Sequence, residues 1–472
     1  MYAAEDLRRN WFTGEKHTKK TYSVMIQIQI PEKVNMIIQT LTAAGYEAYA
    51  VGGCVRDAVL GREPADWDIT TSASPYEVKA LFSRTIDTGL QHGTVTVMLG
   101  KEGFEVTTYR VDGEYEDCRH PKEVQFTKSL LEDLKRRDFT INAMAYNEES
   151  GLVDEFDGIG DLRRGMIRCV GNAEERFTED ALRMLRAVRF SAQLGFKLEA
   201  NTRTAIRKLC GNLRKVSAER IQVELTKLLV SPHPEKIVDA WETGMTKIFL
   251  PEFDACMECE QHNPHHIYSV GEHTVRAIQQ IEADKILRLV MLLHDIGKPS
   301  VKTTDEAGID HFYGHPAVSE ELAGMVLRRL KFDNETIRQV KKLVCYHDYH
   351  PSRTPAGVRR AANKIGEELF SMYLKVQRAD VLAQSPDTQA EKFAALAEVE
   401  QLYEKILEEN DCFTLKQLAV TGRDLMQAGI PAGPGLGEIL NHLLETVLEA
   451  PGRNEKEWLL REAIEFYQKN AV

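Results

Sequence analysis

Strand and helix patterns mix between residues 25 and about 165, and from about 170 to the C-terminus almost every pattern is helical. This one-way change restricts the architecture more than any other feature. Strands gathered at one end and followed by helices make an α+β protein of several domains, not an alternating parallel-sheet fold. At 472 residues the chain is too long for a single core, which predicts three or four domains.

In the mixed part, "PEKVNMIIQTLTAAGY" (31–46) has helical periodicity and stops at Gly45, and "EAYAV" (47–51) reads as a strand broken by Gly52 and Gly53. "CVRDAVLG" (54–61) is a short helix and "ADWDIT" (65–70) alternates as a strand does. Ser74 and Pro75 open a further helix as N-cap and first turn. "HGTVTVML" (92–99) and "GFEVTTYR" (103–110) make a hairpin through "GKEG". The helical part is punctuated near Pro232 and Pro234, at "FLPEFD" (249–254), by a loop over 298–316, and by "GIPAGPG" (429–435).

No apolar run approaches the roughly 20 residues of a membrane span. The first 20 residues carry charge but no apolar core, so they do not make a secretory signal; residues 1–24 read as a disordered leader, or as lying upstream of a start at Met25. Eight scattered cysteines predict reduced thiols and a cytoplasmic location. A net charge of −12 argues against a nucleic-acid partner only if read globally. Phosphate binding depends on local patches, and "LKRRDF" (134–139), "DLRRGMIR" (161–168) and "EDALRMLRAVRF" (179–190) are basic.

Three groups of residues carry chemistry. Gly52 and Gly53 stand between a strand and a helix, where the backbone can approach an anion, and Arg56 one turn on can add a bidentate phosphate contact. On a strand, Asp66 and Asp68 point to one face and Trp67 to the other. Paired carboxylates repel unless a cation lies between them, and magnesium takes such ligands together with substrate phosphates. Glu105 offers a third carboxylate, or is a plain solvent-facing glutamate. In "EDALRMLRAVRF", Asp180, Arg183, Arg186 and Arg189 recur every three residues, and one slowly winding helical stripe would hold them beside an apolar series of Leu182, Leu185 and Val188. The three arginines would then be left for a ligand. A carboxylate accepts from the amino group of cytosine or adenine while a guanidinium donates to the adjacent ring acceptors; uracil and guanine reverse the pattern. Asp180 with Arg183 could thus choose C and A without a template.

"GGCVRD", "DWD", "RRDFTINAMA" (136–145) and "EDALRMLRAVRF", in that order and spacing, resemble the class II tRNA nucleotidyltransferase and bacterial poly(A) polymerase family from about Met25 to the C-terminus. The resemblance implies a polymerase-β-like nucleotidyltransferase head followed by helical neck, body and tail. It implies Mg²⁺ on Asp66 and Asp68, a triphosphate lined by Gly53, Arg56 and Arg137, base selection by Asp180 and Arg183 with Glu179 orienting Arg183, and Arg186 and Arg189 at the incoming nucleotide. The substrates implied are tRNA, CTP and ATP. The loop "RVDGEYEDCRHPKEVQF" (110–126) resembles that of enzymes that finish with adenosine, and "LQHGTVTV" and "LAVTGRDLMQAGIPAGPGLGEIL" (418–440) resemble CCA-adding enzymes. An A-adding enzyme working with a separate CC-adding partner shares these features, and a poly(A) polymerase is the other polymerising alternative.

In the helical part, His273, the adjacent His294 and Asp295, His315, His347 and Asp380 occur in an order resembling HD-family metal phosphohydrolases. Imidazole and carboxylate suit a divalent metal. That resemblance implies metal binding by these residues, with His347 completing a binuclear variant and Lys298 contacting phosphate; a hydrolase with an RNA-binding head is the corresponding rival function. "CMECEQHNPHH" (256–266) places Cys256 and Cys259 before His262, His265 and His266, a weaker zinc pattern because Cys259 and His262 are only three residues apart. The expected division is leader 1–24, head 25–165, neck and body 166–245, HD-like domain 246–400 and RNA-binding tail 401–472.

Overall fold

The computed structural model describes residues 27–113, 124–262 and 268–470. The leader, most of the 110–126 loop, and His265 with His266 lie outside the described residues. The chain divides into two compact units. One comprises residues up to Val111 with Val124–Arg137 and Ile141–Ile159; the other comprises Asp112–Glu123, Asp138–Thr140 and Gly160 onward.

The first unit is built on a seven-stranded sheet in the order Thr85–Gly89, Thr94–Leu99, Glu102–Thr108, Ile69–Thr71, Ala48–Val51, Ala145–Asn147, Gly151–Val153. Neighbours run antiparallel except Ile69–Thr71 beside Glu102–Thr108, which pair in parallel. Alternation in "TVTVML" buries Val95 and Val97 on the core face. The helix Glu32–Ala43 buries Val34, Ile37, Ile38 and Leu41 at helical spacing. The helix Pro75–Leu81 begins with the expected Ser74 cap, completed by Glu77 as a capping box.

Two expectations need correction here. The strand in "ADWDIT" spans only Ile69–Thr71, so Asp66 and Asp68 lie in the segment leading into it. The ladder still reaches back one residue, because the Val51 N–H donates to the Asp68 carbonyl at 3.0 Å. The strand after the hairpin ends at Thr108, and Arg110–Asp112 pairs separately with Val124–Phe126.

The second unit is helical apart from short pairings, Met166–Ile167 with Lys197–Leu198 and Thr303–Thr304 with Asp310–His311. The second of these falls in the segment expected to be a loop, and the helix His315–Arg329 starts inside that segment. No helix among the described residues is long and apolar enough to cross a membrane.

Candidate functional site

The strand–glycine–helix turn of the first unit is shaped for close approach. Gly52 has φ +85°, and a Cβ there would sit 2.9 Å from Arg137 Nη1. Only glycine takes that conformation without strain. Arg56, on the helix Gly53–Val59, is buried; its Nε and Nη2 donate to the Asp57 carboxylate at 2.9 and 2.8 Å, and Nη1 to Asn142 Oδ1 at 2.7 Å. Asp133, fully buried, accepts two bonds from Arg136 at 2.9 and 2.7 Å and lies 3.4 Å from Arg137. Burial alone would raise its pKa, but Arg136 and Arg137 override that and hold the carboxyl below its ordinary value.

Asp66 and Asp68 are exposed. Asp68 is pushed up by partial loss of hydration and by Asp66, against the pull of Arg137. A carboxylate raised in this way gains from a cation, so the pair fits a magnesium ion. The parallel register begins with Ile69 and Val106, so Asp68 and Glu105 each directly precede the first paired residue of neighbouring strands.

In the second unit the arginine stripe differs from the expectation. The helix runs Leu182–Leu194, and Asp180 lies outside it, at the break after the helix Ala173–Glu179. Its carboxylate accepts from the Leu182 N–H at 3.0 Å, as a capping Asp does, and from Arg220 Nη2 at 2.8 Å. Leu182, Leu185 and Val188 are buried as expected. The arginines are not left clear for a ligand. Arg183 Nη1 donates to Glu179 at 2.5 Å, in the i,i+4 relation expected of Glu179, and Arg186 donates twice to Asp138 Oδ2 at 2.9 and 2.7 Å. Arg189 is buried, 2.5 Å from Glu224, with its guanidinium 3.9 Å from the Phe190 ring centroid. Asp138, Arg220 and Glu224 escaped the sequence reading. Asp138 adjoins the basic pair Arg136–Arg137, but Arg220 and Glu224 lie 30 or more residues from their partners, and no local pattern marks them.

Elsewhere in the second unit, His273, His294, Asp295, His315, His347 and Asp380 converge. His273 Nε2 lies 3.2 Å from His294 Nε2 and 2.8 Å from Asp380 Oδ1, and His315 Nε2 lies 3.1 Å from His347 Nε2. Asp295 stands between the two pairs. Its Oδ2 is 3.3 Å from His294 and 3.6 Å from His273, and its Oδ1 is 3.4 Å from both His315 and His347. Each histidine turns Nδ1 to a backbone carbonyl, of Ala383, Met291, Phe312 and Val344 in turn. These contacts fix the rings with Nε2 pointing inward, as outer partners do around metals. Neither buried oxygen of Asp295 has a hydrogen bond of good geometry, although Lys298 Nζ lies at 2.7 Å. Burial would raise Asp295, yet Lys298 and His294 hold it well below the usual carboxylate range; His294, despite its burial, is pushed up to about 10 by Asp295 and Asp380. Two ligand groups sharing the Asp295 carboxylate, each of its oxygens facing a pair of imidazole Nε2 atoms, fit two divalent ions. A cavity of about 470 Å³ opens on this cluster.

The zinc pattern has no such support among the described residues. Burial raises the thiols of Cys256 and Cys259, which disfavours the thiolates zinc needs, and His262 is bonded to Asp310 at 2.9 Å.

Three family models match the chain. They are described as the poly A polymerase head domain (residues 48–168), "Probable RNA and SrmB-binding site of polymerase A" (195–257) and tRNA nucleotidyltransferase domain 2 (303–463). A CCA-adding enzyme of Levilactobacillus brevis is 38% identical over 433 residues, 90% of this chain and 96% of its own. One of Lactiplantibacillus plantarum is 36% identical over 92% of this chain and 97% of its own. The solved CCA-adding enzyme of Bacillus stearothermophilus in complex with CTP superposes with a TM-score of 0.67 at 32% identity, over 92% of this chain and 97% of that one. With relatives of this identity covered over nearly their whole length, this chain belongs to the family of CCA-adding tRNA nucleotidyltransferases.

Proposed function

We infer that the protein builds or repairs the 3′-terminal CCA of tRNA without a template, using CTP and ATP. The observation that carries this reading is the conjunction of two arrangements, each seen within its own unit. Asp66 and Asp68 lie together in the lead-in to a head strand whose parallel neighbour carries Glu105, and Asp180 with Arg183 is fixed at the start of a helix by Arg220 and Glu179.

Asp66 and Asp68 would hold Mg²⁺, with Glu105 beside them. The bound ion would lower the barrier by stabilising charge on the attacking and leaving oxygens of phosphoryl transfer. Arg137 balances phosphate charge, Gly52 and Gly53 let the backbone come near, and Arg56, whose bidentate fork is taken by Asp57 and not left for phosphate as expected, braces the turn through Asn142. Asp180 accepts from the amino group of cytosine or adenine, and Arg183 donates to the ring acceptors. Arg220 holds the Asp180 carboxylate in place, and that carboxylate still has lone pairs to offer. Arg186 and Arg189 act by anchoring the helix to Asp138 and Glu224. A base that reverses donor and acceptor leaves these groups unpaired, which can cost orders of magnitude in rate.

The test offers labelled CTP and ATP to tRNAs ending before, within and after CCA. Growth by three, two or one nucleotides, and none on finished tRNA, is expected. Addition of adenosine alone would move the protein to the A-adding class with a CC-adding partner, and long adenosine tracts to the poly(A) polymerases.

A second reading concerns the histidine cluster and has its own observation, the buried Asp295 carboxylate facing four inward Nε2 atoms. We propose that residues 246–400 form an HD-like domain whose cluster binds divalent metal and acts on phosphate esters, with Lys298 at the phosphate. Metal analysis of the purified full chain tests it. One to two ions per chain, lost in Asp295→Ala, are expected; a metal content that the substitution leaves unchanged refutes it.

A further inference from the structure

The cavity on the histidine cluster has a second wall that none of the functions above uses. Its lining runs from Asp295, Lys298, His315 and His347 to His311, Phe312 and Tyr313. Tyr313 is 77% exposed, rare for so large an aromatic side chain. It is not loose. Its ring stacks on that of His311, with centroids 5.3 Å apart and planes 7° apart, and its hydroxyl lies 3.3 Å from His311 Nδ1. His311 is fixed in turn, since its Nε2 lies 2.8 Å from Asp305 Oδ2 and its backbone pairs with Thr303 in the hairpin. Asp305 accepts from the N–H groups of Ala307 and Ile309, both at 2.9 Å. The short hairpin thus presents a braced, flat, solvent-facing aromatic surface at one side of a cavity whose other side is cationic and metal-ligating.

A free phosphate would need only the deep side. About 470 Å³ is room for a mononucleotide-sized ligand. Base–aromatic stacking tolerates any base, because every base has a π-face. We propose that the face of Tyr313, braced by His311, receives the base of a nucleoside phosphate whose phosphate lies toward Asp295 and Lys298. The cluster then takes nucleotides or RNA termini in preference to small phosphate esters. This rests on the metal-cluster reading given above.

The test uses the full-length chain loaded with Mn²⁺. It carries Asp180→Ala and Arg183→Ala, so that the base-reading helix does not contribute. Calorimetry compares AMP with ribose 5-phosphate, which has the sugar and phosphate but no base. Stacking of one base predicts AMP about tenfold tighter or more. Tyr313→Ala, at so exposed a position, leaves the fold intact and should bring AMP to the ribose 5-phosphate level, while Tyr313→Trp should keep the difference. Mn²⁺ per chain is measured on the same samples. Metal present without a base increment, or an increment that survives Tyr313→Ala, overturns the proposal. An increment that depends on Tyr313 in a chain without metal sinks the metal reading alone, and neither metal nor increment sinks both.

Discussion

Gly52 and Asp133 show how single residues set up the head. At φ +85°, with a guanidinium nitrogen 2.9 Å from where a Cβ would be, Gly52→Ala combines backbone strain with displacement of Arg137. The strain alone is about 1–3 kcal/mol. Chemical denaturation should register that loss, and, if Arg137 acts at the triphosphate as proposed, the KM for CTP should rise. Asp133 gives a pH signature. Its folded pKa lies below the ordinary 3.8, so its contribution to stability is complete above that value and disappears as pH falls through the folded pKa. Asp133→Asn should therefore lower stability at neutral pH and flatten the fall in stability below about pH 4, read by acid titration of the melting temperature. The proposed base selection rests on Asp180 and Arg183. If both are changed to alanine, incorporation of CTP and ATP over UTP and GTP should shrink by at least tenfold in competition assays.

At the scale of elements, the helix Leu182–Leu194 is the informative case. Its Glu179–Arg183 pair, implied by the family resemblance, spans the break between two helices. Its apolar series could be read from spacing, because i,i+3 neighbours are fixed by helical geometry. Its true start could not, because Asp180 is held outside the helix by a bond to Arg220, 40 residues away. The burial of Arg189 against Glu224 is also a long-range fact, invisible to any local window. The same contrast holds in the head. The glycine turn and the hairpin were legible, while the register that pairs Ile69 with Val106 depends on two strands more than 30 residues apart. The histidine cluster was legible as a list of residues in order, since its members keep their types; that Asp295 lies between two pairs came only with the structure. Removing one member of the buried Arg189–Glu224 pair leaves an uncompensated charge, at about 3–5 kcal/mol. Arg189→Met should therefore destabilise the chain more than Arg189→Met with Glu224→Leu, and a double-mutant cycle in urea measures the difference.

Taken as a whole, the molecule joins a sheet-based unit to a larger helical one with its own ligand cluster. A ligand that binds only the folded state stabilises it by mass action, about 2.7 kcal/mol at a hundredfold excess over Kd. Addition of Mn²⁺ to the chelator-treated protein should raise the melting transition of the helical unit, and Asp295→Ala should erase that rise, as scanning calorimetry would show. The division of the chain also bears on how such proteins can be taken apart or exchanged. Asp138–Thr140 belongs with the helical unit although the residues on both sides of it belong to the sheet, and Phe139 there is fully buried, its ring edge-on to Phe190 at 5.7 Å. A fragment ending at residue 165 would carry that phenylalanine away from its socket, and sticky, poorly soluble material should result. Recombination that swaps heads between relatives would then have to move the helix Leu182–Leu194 along with them, so that Phe139 and the ring that seats it are inherited together.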